Sequence, residues 1–331
     1  TLKSSEKGLS EIKISGAEIK NIPAIAGEPD ILKVMQLLPG VKRGSDGSSG
    51  FFVRGGGIGN NLICLDGVPL YNPTHLLGIF SSFNSDFIEE AQMQKAAFSS
   101  EFGSRLSSVT DIKTIQGLKD TWNYKLAIGA ISSKALVSGP VGKKSTLYLG
   151  GRYSYLDQVS SIFDRNIPYT FYDINAKWIT KFNDKTTFSA GYFRSFDNLY
   201  ARSFGVKDIR SLQNTGAFNL NVGSDILNET FYAHLDHEFS KNLNSKLIVF
   251  NNYFDYSLNA SLSKNTLNMG SSIRDYGFKN SWNSKNWKWG FEFINRNISP
   301  SSWLTEGDLG NFTGTGSKRD MLMNEAAIYA E

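Results

Sequence analysis

Side chains able to do chemistry are sparse in this 331-residue sequence, which has three histidines and one cysteine. His234 and His237 form an H-x-x-H pair. The residues around them alternate as in a strand, where positions three apart face opposite sides, so the two cannot share a metal. Glu89 and Glu90 are paired carboxylates that follow Ser85. They read as a helix start, where acidic groups complement the dipole. Cys64 lies in an apolar run and reads as a small buried core residue, and a single cysteine excludes an internal disulfide or a CxxC site. With no nucleophile elbow and no HExxH motif, no catalytic constellation is predicted, and neither a metal nor a cofactor is called for. His75 has two readings, a turn histidine bonded to backbone or a ligand contact, and Tyr71, Asn72 and Thr74 stand beside it.

The stretch that must position His75 is FFVRGGGIGNNLICLDGVPLYN, Phe51 to Asn72. Phe51 to Val53 predicts a short strand, and Asn61 to Val68 a nearly continuous apolar one. Between them Gly55, Gly56, Gly57 and Gly59 predict a loop shaped for contact. It is no nucleotide loop, because Asn60 stands where GxGxxG needs its last glycine and no GK[ST] follows.

Upstream, Leu9 to Ile14 alternates as a strand, and Ser15 with Glu18 makes an S-x-x-E capping box. Pro29 suits the first turn of a second helix whose apolar stripe is Ile31, Val34, Met35 and Leu38. Val41 to Gly50 reads as an exposed polar loop. After the tip at Tyr71 to His75, Leu76 to Phe83 is expected to turn helical, Ala91 to Lys95 to return to a strand, and Val109 to Gln116 to close the domain before Gly117.

Beyond Gly117 the period becomes two and stays there. Tyr172, Ile174, Ala176, Trp178 and Phe182 oppose Asp173, Asn175, Lys177 and Lys181. Trp287, Trp289, Phe291 and Phe293 oppose Lys288, Gly290, Glu292 and Arg296. A soluble sandwich would favour Val, Ile and Leu on its buried face over this density of aromatics, whereas membrane barrels carry aromatic girdles. Short turns such as Gly142 to Ser145, Asn183 to Lys185 and Asn283 to Asn286 alternate with long connections at Tyr155 to Pro168, Asp197 to Gly216, Ser257 to Ser272 and Ile298 to Asn324. This is the asymmetry of outer-membrane barrels. About nine or ten strands fit between Gly117 and Glu331. Aromatics at 13 % with modest hydropathy agree, and no run of about 18 apolar residues offers a spanning helix. A net charge of +4 without a basic stripe makes nucleic acid an unsuitable partner.

The motifs V-R-G-G (Val53 to Gly56), N-L-x-x-L-D-G-V-P (Asn61 to Pro69) and Y-N-P-x-H-L (Tyr71 to Leu76) carry a family resemblance, joined by ILKVMQLLPGV, FSSFNSDFIEEAQMQK and FGSRLSSVTDI. Together they resemble the plug domain of TonB-dependent outer-membrane receptors, in the Bacteroidetes form related to SusC-like transporters. The resemblance implies an α+β plug at residues 1–117 and, at 118–331, the first part of an all-β membrane barrel of 22 strands, so that the chain is a fragment of a longer protein. It implies import of an oligosaccharide, peptide or metal chelate across the outer membrane of a Gram-negative bacterium, driven by TonB with ExbB and ExbD through a TonB box before Thr1. A SusD-like surface lipoprotein is a further implied partner. By the same resemblance, Arg43, Asp46, Asn60, Tyr71, Asn72 and His75 form a substrate-binding apex, and Arg54 and Lys95, with Glu89, form a latch between plug and barrel. Two other readings stay open: a scaffold or signalling subunit without transport, and a β-rich adhesin.

Overall fold

The computed structural model describes residues 11–22, 28–44, 50–75, 78–95, 98–103, 105–162, 167–202, 220–262, 265–306 and 319–331. The first domain opens with β1 (Glu11–Ser15) and α1 (Gly16–Lys20), and continues through α2 (Ile31–Met35), β2 (Val41–Arg43) and β3 (Phe51–Val53). Then come β4 (Asn61–Leu65), β5 (Val68–Pro69), β6 (Thr74–His75), β7 (Phe80–Ser81), β8 (Ile88–Lys95) and β9 (Ser108–Thr114). A mixed sheet in the order β1-β8-β9-β4-β5 forms its centre, with β4 and β9 parallel.

Local sequence explains these elements. The capping box forms as read, with the Ser15 hydroxyl accepting from Glu18 N and the Glu18 carboxylate accepting from Ser15 N. In α2 the N-cap is Asp30 rather than a proline at the first turn. One Asp30 oxygen accepts from Leu32 N at 2.9 Å and Lys33 N at 3.1 Å, and the other from Ser81 N at 2.7 Å. Ile31, Leu32, Val34 and Met35 are all buried, each stabilising the fold by roughly 1.5–3 kcal/mol.

Four local expectations are corrected. Val41–Arg43 is a strand paired with β3. The run Asn61 to Val68 is two strands, because Asp66 and Gly67 take positive φ of 50° and 83° and reverse the chain in a two-residue hairpin. The segment after His75 returns as β7, which pairs with β6 in place of a helix, and residues 76–77 lie outside the described set. Glu89 and Glu90 lie on β8, so no helix dipole acts on them.

The second domain is a meander of antiparallel strands: β10 (Asn123–Ile128), β11 (Ser132–Pro140), β12 (Ser145–Ser154), then α3 (Leu156–Ile162), β13 (Tyr169–Asn183), β14 (Thr186–Arg202), β15 (Leu220–Ser240), β16 (Leu243–Leu262), β17 (Asn265–Ser284), β18 (Lys288–Glu306) and β19 (Met321–Ala330). These ten strands pair in chain order as one sheet, with β10 and β19 at its two ends. Short turns join it at one edge. At the other edge β14 to β18 run on well beyond the expected strand ends, so much of the stretch read as long connections is strand, Ser257 to Leu262 and Asn265 to Ser272 among it.

The sheet is inverted relative to a water-soluble one. Ile174, Trp178, Phe231, Val249, Phe278 and Trp289 are exposed on the outer face, while Asp173, Asn175, Lys177, Asn228, Thr230 and Asp275 are buried on the inner face. Strand parity forces this split, since alternate residues face opposite sides. Apolar outside and polar inside is the pattern of a barrel wall in lipid. Toward the long-loop edge the outer face turns polar: Arg194, Glu229, Tyr253 and Arg274 lie in register across β14–β17. Arg194 pairs with Glu229 at 3.1 Å and Arg274 covers the Tyr253 ring at 4.5 Å. Among the described residues no helix is long and apolar enough to cross a membrane.

Candidate functional site

The first domain lies against the inner face of the sheet, and its apolar core runs across the boundary. Leu65, Val68, Leu70, Phe83 and Met93 share one buried cluster with Phe193, Tyr232, Ile248, Phe250 and Ile294 of the sheet. Within this apolar contact sit two ionic clasps.

The first clasp is built on the Asp66–Gly67 turn. Asp66 is buried, and its carboxylate accepts from Thr114 N at 2.9 Å, from Lys177 Nζ at 2.9 Å and from the Tyr232 hydroxyl at 2.5 Å. Lys177 also donates to the Thr114 hydroxyl at 2.6 Å, so the lysine is satisfied although it is only 1 % exposed. Burial alone would raise the Asp66 pKa. Lys177 and His234, with the Thr114 and Tyr232 hydroxyls, override it and hold the carboxyl well below the usual range. The inner row that receives the turn is Lys177, Gly191, Tyr232, Phe250 and Gly277, in register across β13–β17. A Cβ at Gly191 would meet the Tyr232 ring at 2.1 Å, and one at Gly277 the Phe250 ring at 2.2 Å. These glycines leave the two aromatics room to lie under the plug.

The second clasp is the tip. His75 is 0 % exposed; Nε2 is 2.7 Å from Asp173 Oδ1, and Nδ1 is 2.9 Å from Asp197. Its ring stacks on Phe171 with centroids 4.3 Å apart. Asp173 is shared with Arg152, whose Nε donates to it at 2.7 Å, whose Nη2 donates to Ser81 O at 2.7 Å, and whose Nη1 lies 3.8 Å from Glu28. Tyr169 donates to Asp197. Burial pulls the His75 pKa down, but Asp173 and Asp197 together outweigh it and raise it to about 9. The imidazolium therefore joins Arg152 as the second cation of a cluster whose carboxylates are Asp173, Asp197 and Glu28.

Neighbouring tip residues are tied to the wall as well. Tyr71 donates to Asp275, which Arg296 holds at 3.0 Å. Burial, then the Asp275 carboxylate, pushes the Tyr71 hydroxyl above its ordinary pKa. Asn228 donates to Asn72 O at 2.6 Å, and Asn252 to Pro69 O at 2.7 Å. The structure thus brings Tyr71, Asn72 and His75 together, as wall contacts.

The remaining residues singled out in the sequence lie elsewhere. Arg43 is exposed on β2, and Asp46 lies outside the described residues. Asn60 is exposed, and its carbonyl accepts from Ser107 N at 3.0 Å, fastening the glycine loop to β9. Arg54 is exposed with φ 47°, Lys95 donates to Pro39 O at 2.6 Å, and Glu89 accepts from Gln116 N at 2.7 Å. Ion pairs between plug and wall among the described residues use other side chains: Asp66 with Lys177, His75 with Asp173 and Asp197, Glu28 with Arg152, Asp86 with Lys134, and Glu101 with Lys279 and Lys288. The signal for Asp66 was the D-G dipeptide. That for Asp173 and Lys177 was charge on the buried parity of a strand whose other face is apolar, since a buried charge must meet a partner.

This arrangement, an α+β domain clasped inside a polar-lined, apolar-jacketed wall, matches known proteins in part and in whole. Residues 10–109, most of the first domain, match the family described as the TonB-dependent Receptor Plug Domain. The whole chain has the fold of solved outer-membrane receptors. It aligns with the ferric yersiniabactin uptake receptor FyuA of Yersinia pestis at a TM-score of 0.60 and 8 % identity, covering 98 % of this chain and 61 % of that one. With the outer membrane transporter YddB of Escherichia coli the values are 0.58 and 11 %, over 97 % and 53 %. With the ferric enterobactin receptor of Pseudomonas aeruginosa they are 0.53 and 14 %, over 91 % and 57 %. The chain thus spans between about half and two thirds of the length of these receptors. A comparison with curated proteins gave no match.

Proposed function

We propose that this chain forms the plug and first barrel strands of an importer in the outer membrane of a Gram-negative bacterium, energised by TonB with ExbB and ExbD. The observation that carries the proposal is the paired inversion: a sheet apolar outside and polar inside, with a plug bound to its polar face through buried ion pairs. A wall without a cargo path needs no separate domain held by breakable charge contacts. The resemblance of the plug motifs to SusC-like proteins favours an oligosaccharide or peptide cargo and a SusD-like lipoprotein partner. The names of the receptors that share the fold add ferric chelates as a cargo class to be tried.

The test is uptake of labelled oligosaccharide, peptide and ferric chelate by cells with the gene, without it, and with the gene but without TonB. Import predicts that one cargo class is lost equally in both deficient strains. Uptake of all three unchanged in the gene-deficient strain would sink the reading and leave the scaffold or signalling role.

A further inference from the structure

Two cavities lie between the plug and the wall made by β16–β19. The upper, about 350 Å³, reaches the tip at Tyr71 and Asn72. The lower, about 650 Å³, reaches the short-turn edge at Asn283, Asn286 and Trp287. Gly67, Glu101, Phe102 and Lys279 line both, so these residues form the partition between them.

The partition is held differently from the rest of the plug. Residues 98–103 lie in no strand or helix, so no ladder of backbone bonds secures them. Lys279, buried on β17, donates to Glu101 O at 2.8 Å and sits 4.6 Å from the centre of the Phe102 ring. Lys288 meets the Glu101 carboxylate at 2.7 Å. The two lysines, with Glu331 accepting from Ser99 Oγ at 2.7 Å and Gln94 Oε1 accepting from Ser99 N at 2.9 Å, thus hold by side chains a segment whose displacement would join the cavities without unpairing any strand. The lining carries both signs of charge, Arg296 near Glu325 above and Lys113 and Lys246 near Asp111 below. Such a lining suits hydrophilic solutes and repels neither sign outright.

We infer that the two cavities are one solute path along β16–β19, closed by Phe102 as a flap with Lys279 as its latch, and sized for small hydrophilic molecules. The inference rests on the import reading for its purpose but not for its test. The protein purified from outer membranes is reconstituted in liposomes, and swelling is followed in arabinose and in a large dextran. Neither energy coupling nor a cognate cargo is required, so failed uptake by cells with positive swelling would remove the import reading and leave the gate.

Phe102→Ala and Lys279→Ala are expected to speed swelling in arabinose several-fold over the unmodified protein and to leave dextran excluded. Lys279→Arg, which keeps the cation over the ring, is expected to stay closed. If Lys279→Ala fails to assemble, Phe102→Ala decides alone, since Phe102 is a half-exposed residue on an irregular segment. Assembled variants that swell at the unmodified rate overturn the inference. So does entry of dextran, which would mean that the whole plug has left.

Discussion

His75 and Asp173 are 98 residues apart in the chain and 2.7 Å apart in space, the histidine on the plug tip and the carboxylate on the wall. Both are buried, so the contact joins two domains through charges that water does not reach. Removing one partner of such a pair strands the other in a medium that solvates it poorly. His75→Ala is therefore expected to lower stability by about 3–5 kcal/mol. A shift in the temperature at which protease first cuts the plug, compared with the unmodified protein at pH 7, measures it.

The same contact should respond to alkali. Because the His75 pKa is raised, from 6.5 to about 9, its stabilisation is fully present below pH 6.5 and is lost as pH rises through 9. Between those limits the plug is expected to become more protease-sensitive, and the His75→Ala protein should lack that pH step. A step of equal size in both proteins would assign it to another group.

Asp66 and Lys177 allow a cleaner separation of charge from packing. Asp66→Asn or Lys177→Met alone is expected to cost several kcal/mol, about 3–5 for a buried pair broken on one side. The double substitution should cost less than the two singles added together. A double-mutant cycle on thermal unfolding in detergent measures the coupling, and strict additivity would show that the pair does not interact.

In the glycine loop, neighbouring positions should differ sharply. A Cβ at Gly56 would come within 2.7 Å of Ser107 Cβ, whereas Gly59 has nothing within 4 Å and needs no positive φ. Gly56→Ala is expected to destabilise by about 1–3 kcal/mol through overpacking and to loosen the start of β9. Gly59→Ala should lie within about 0.5 kcal/mol of the unmodified protein. Hydrogen exchange at Ser108–Thr114 reads both.

On the outer face, Val249 and Phe278 lie side by side in register and are exposed. If they face lipid, Phe278→Arg is expected to cost about 2–4 kcal/mol at mid-bilayer depth and to reduce the amount of assembled, heat-modifiable protein in the outer membrane. Full assembly of the arginine variant would argue against lipid on this face.

Much of this was legible from parity. The opposition of Ile174 and Trp178 to Asp173 and Lys177 is visible in sequence, and it is the opposition of the sheet's exposed outer face to its buried inner face. What those charges would meet was not visible, because the plug partners lie 98 and 111 residues away and no local pattern encodes such a pairing. The Asp66–Gly67 reversal was hidden in an apolar run whose hydrophobicity reads as one strand, although the dipeptide itself is a turn signal. The upper ends of β15 to β18 were missed for the opposite reason. Residues such as Asn259, Ser261, Asn268 and Ser271 lack the aromatic and β-branched character that marks strands, and it is lateral pairing that makes them so.

The order of strands in the plug sheet carries a mechanical consequence. β1, the first described strand, is an edge joined to β8 alone, while the clasped Asp66 turn joins β4 to β5 at the opposite edge. Tension applied at Glu11 is therefore borne first by five residue pairs between β1 and β8. It reaches the first ionic clasp only after crossing β8, at Thr114 of β9, which both Asp66 and Lys177 hold. The sheet is a series of links, and a force ramp through Glu11 should show a small first rupture at β1–β8 before the plug yields. A single rupture of the whole domain would mean that the links act in parallel.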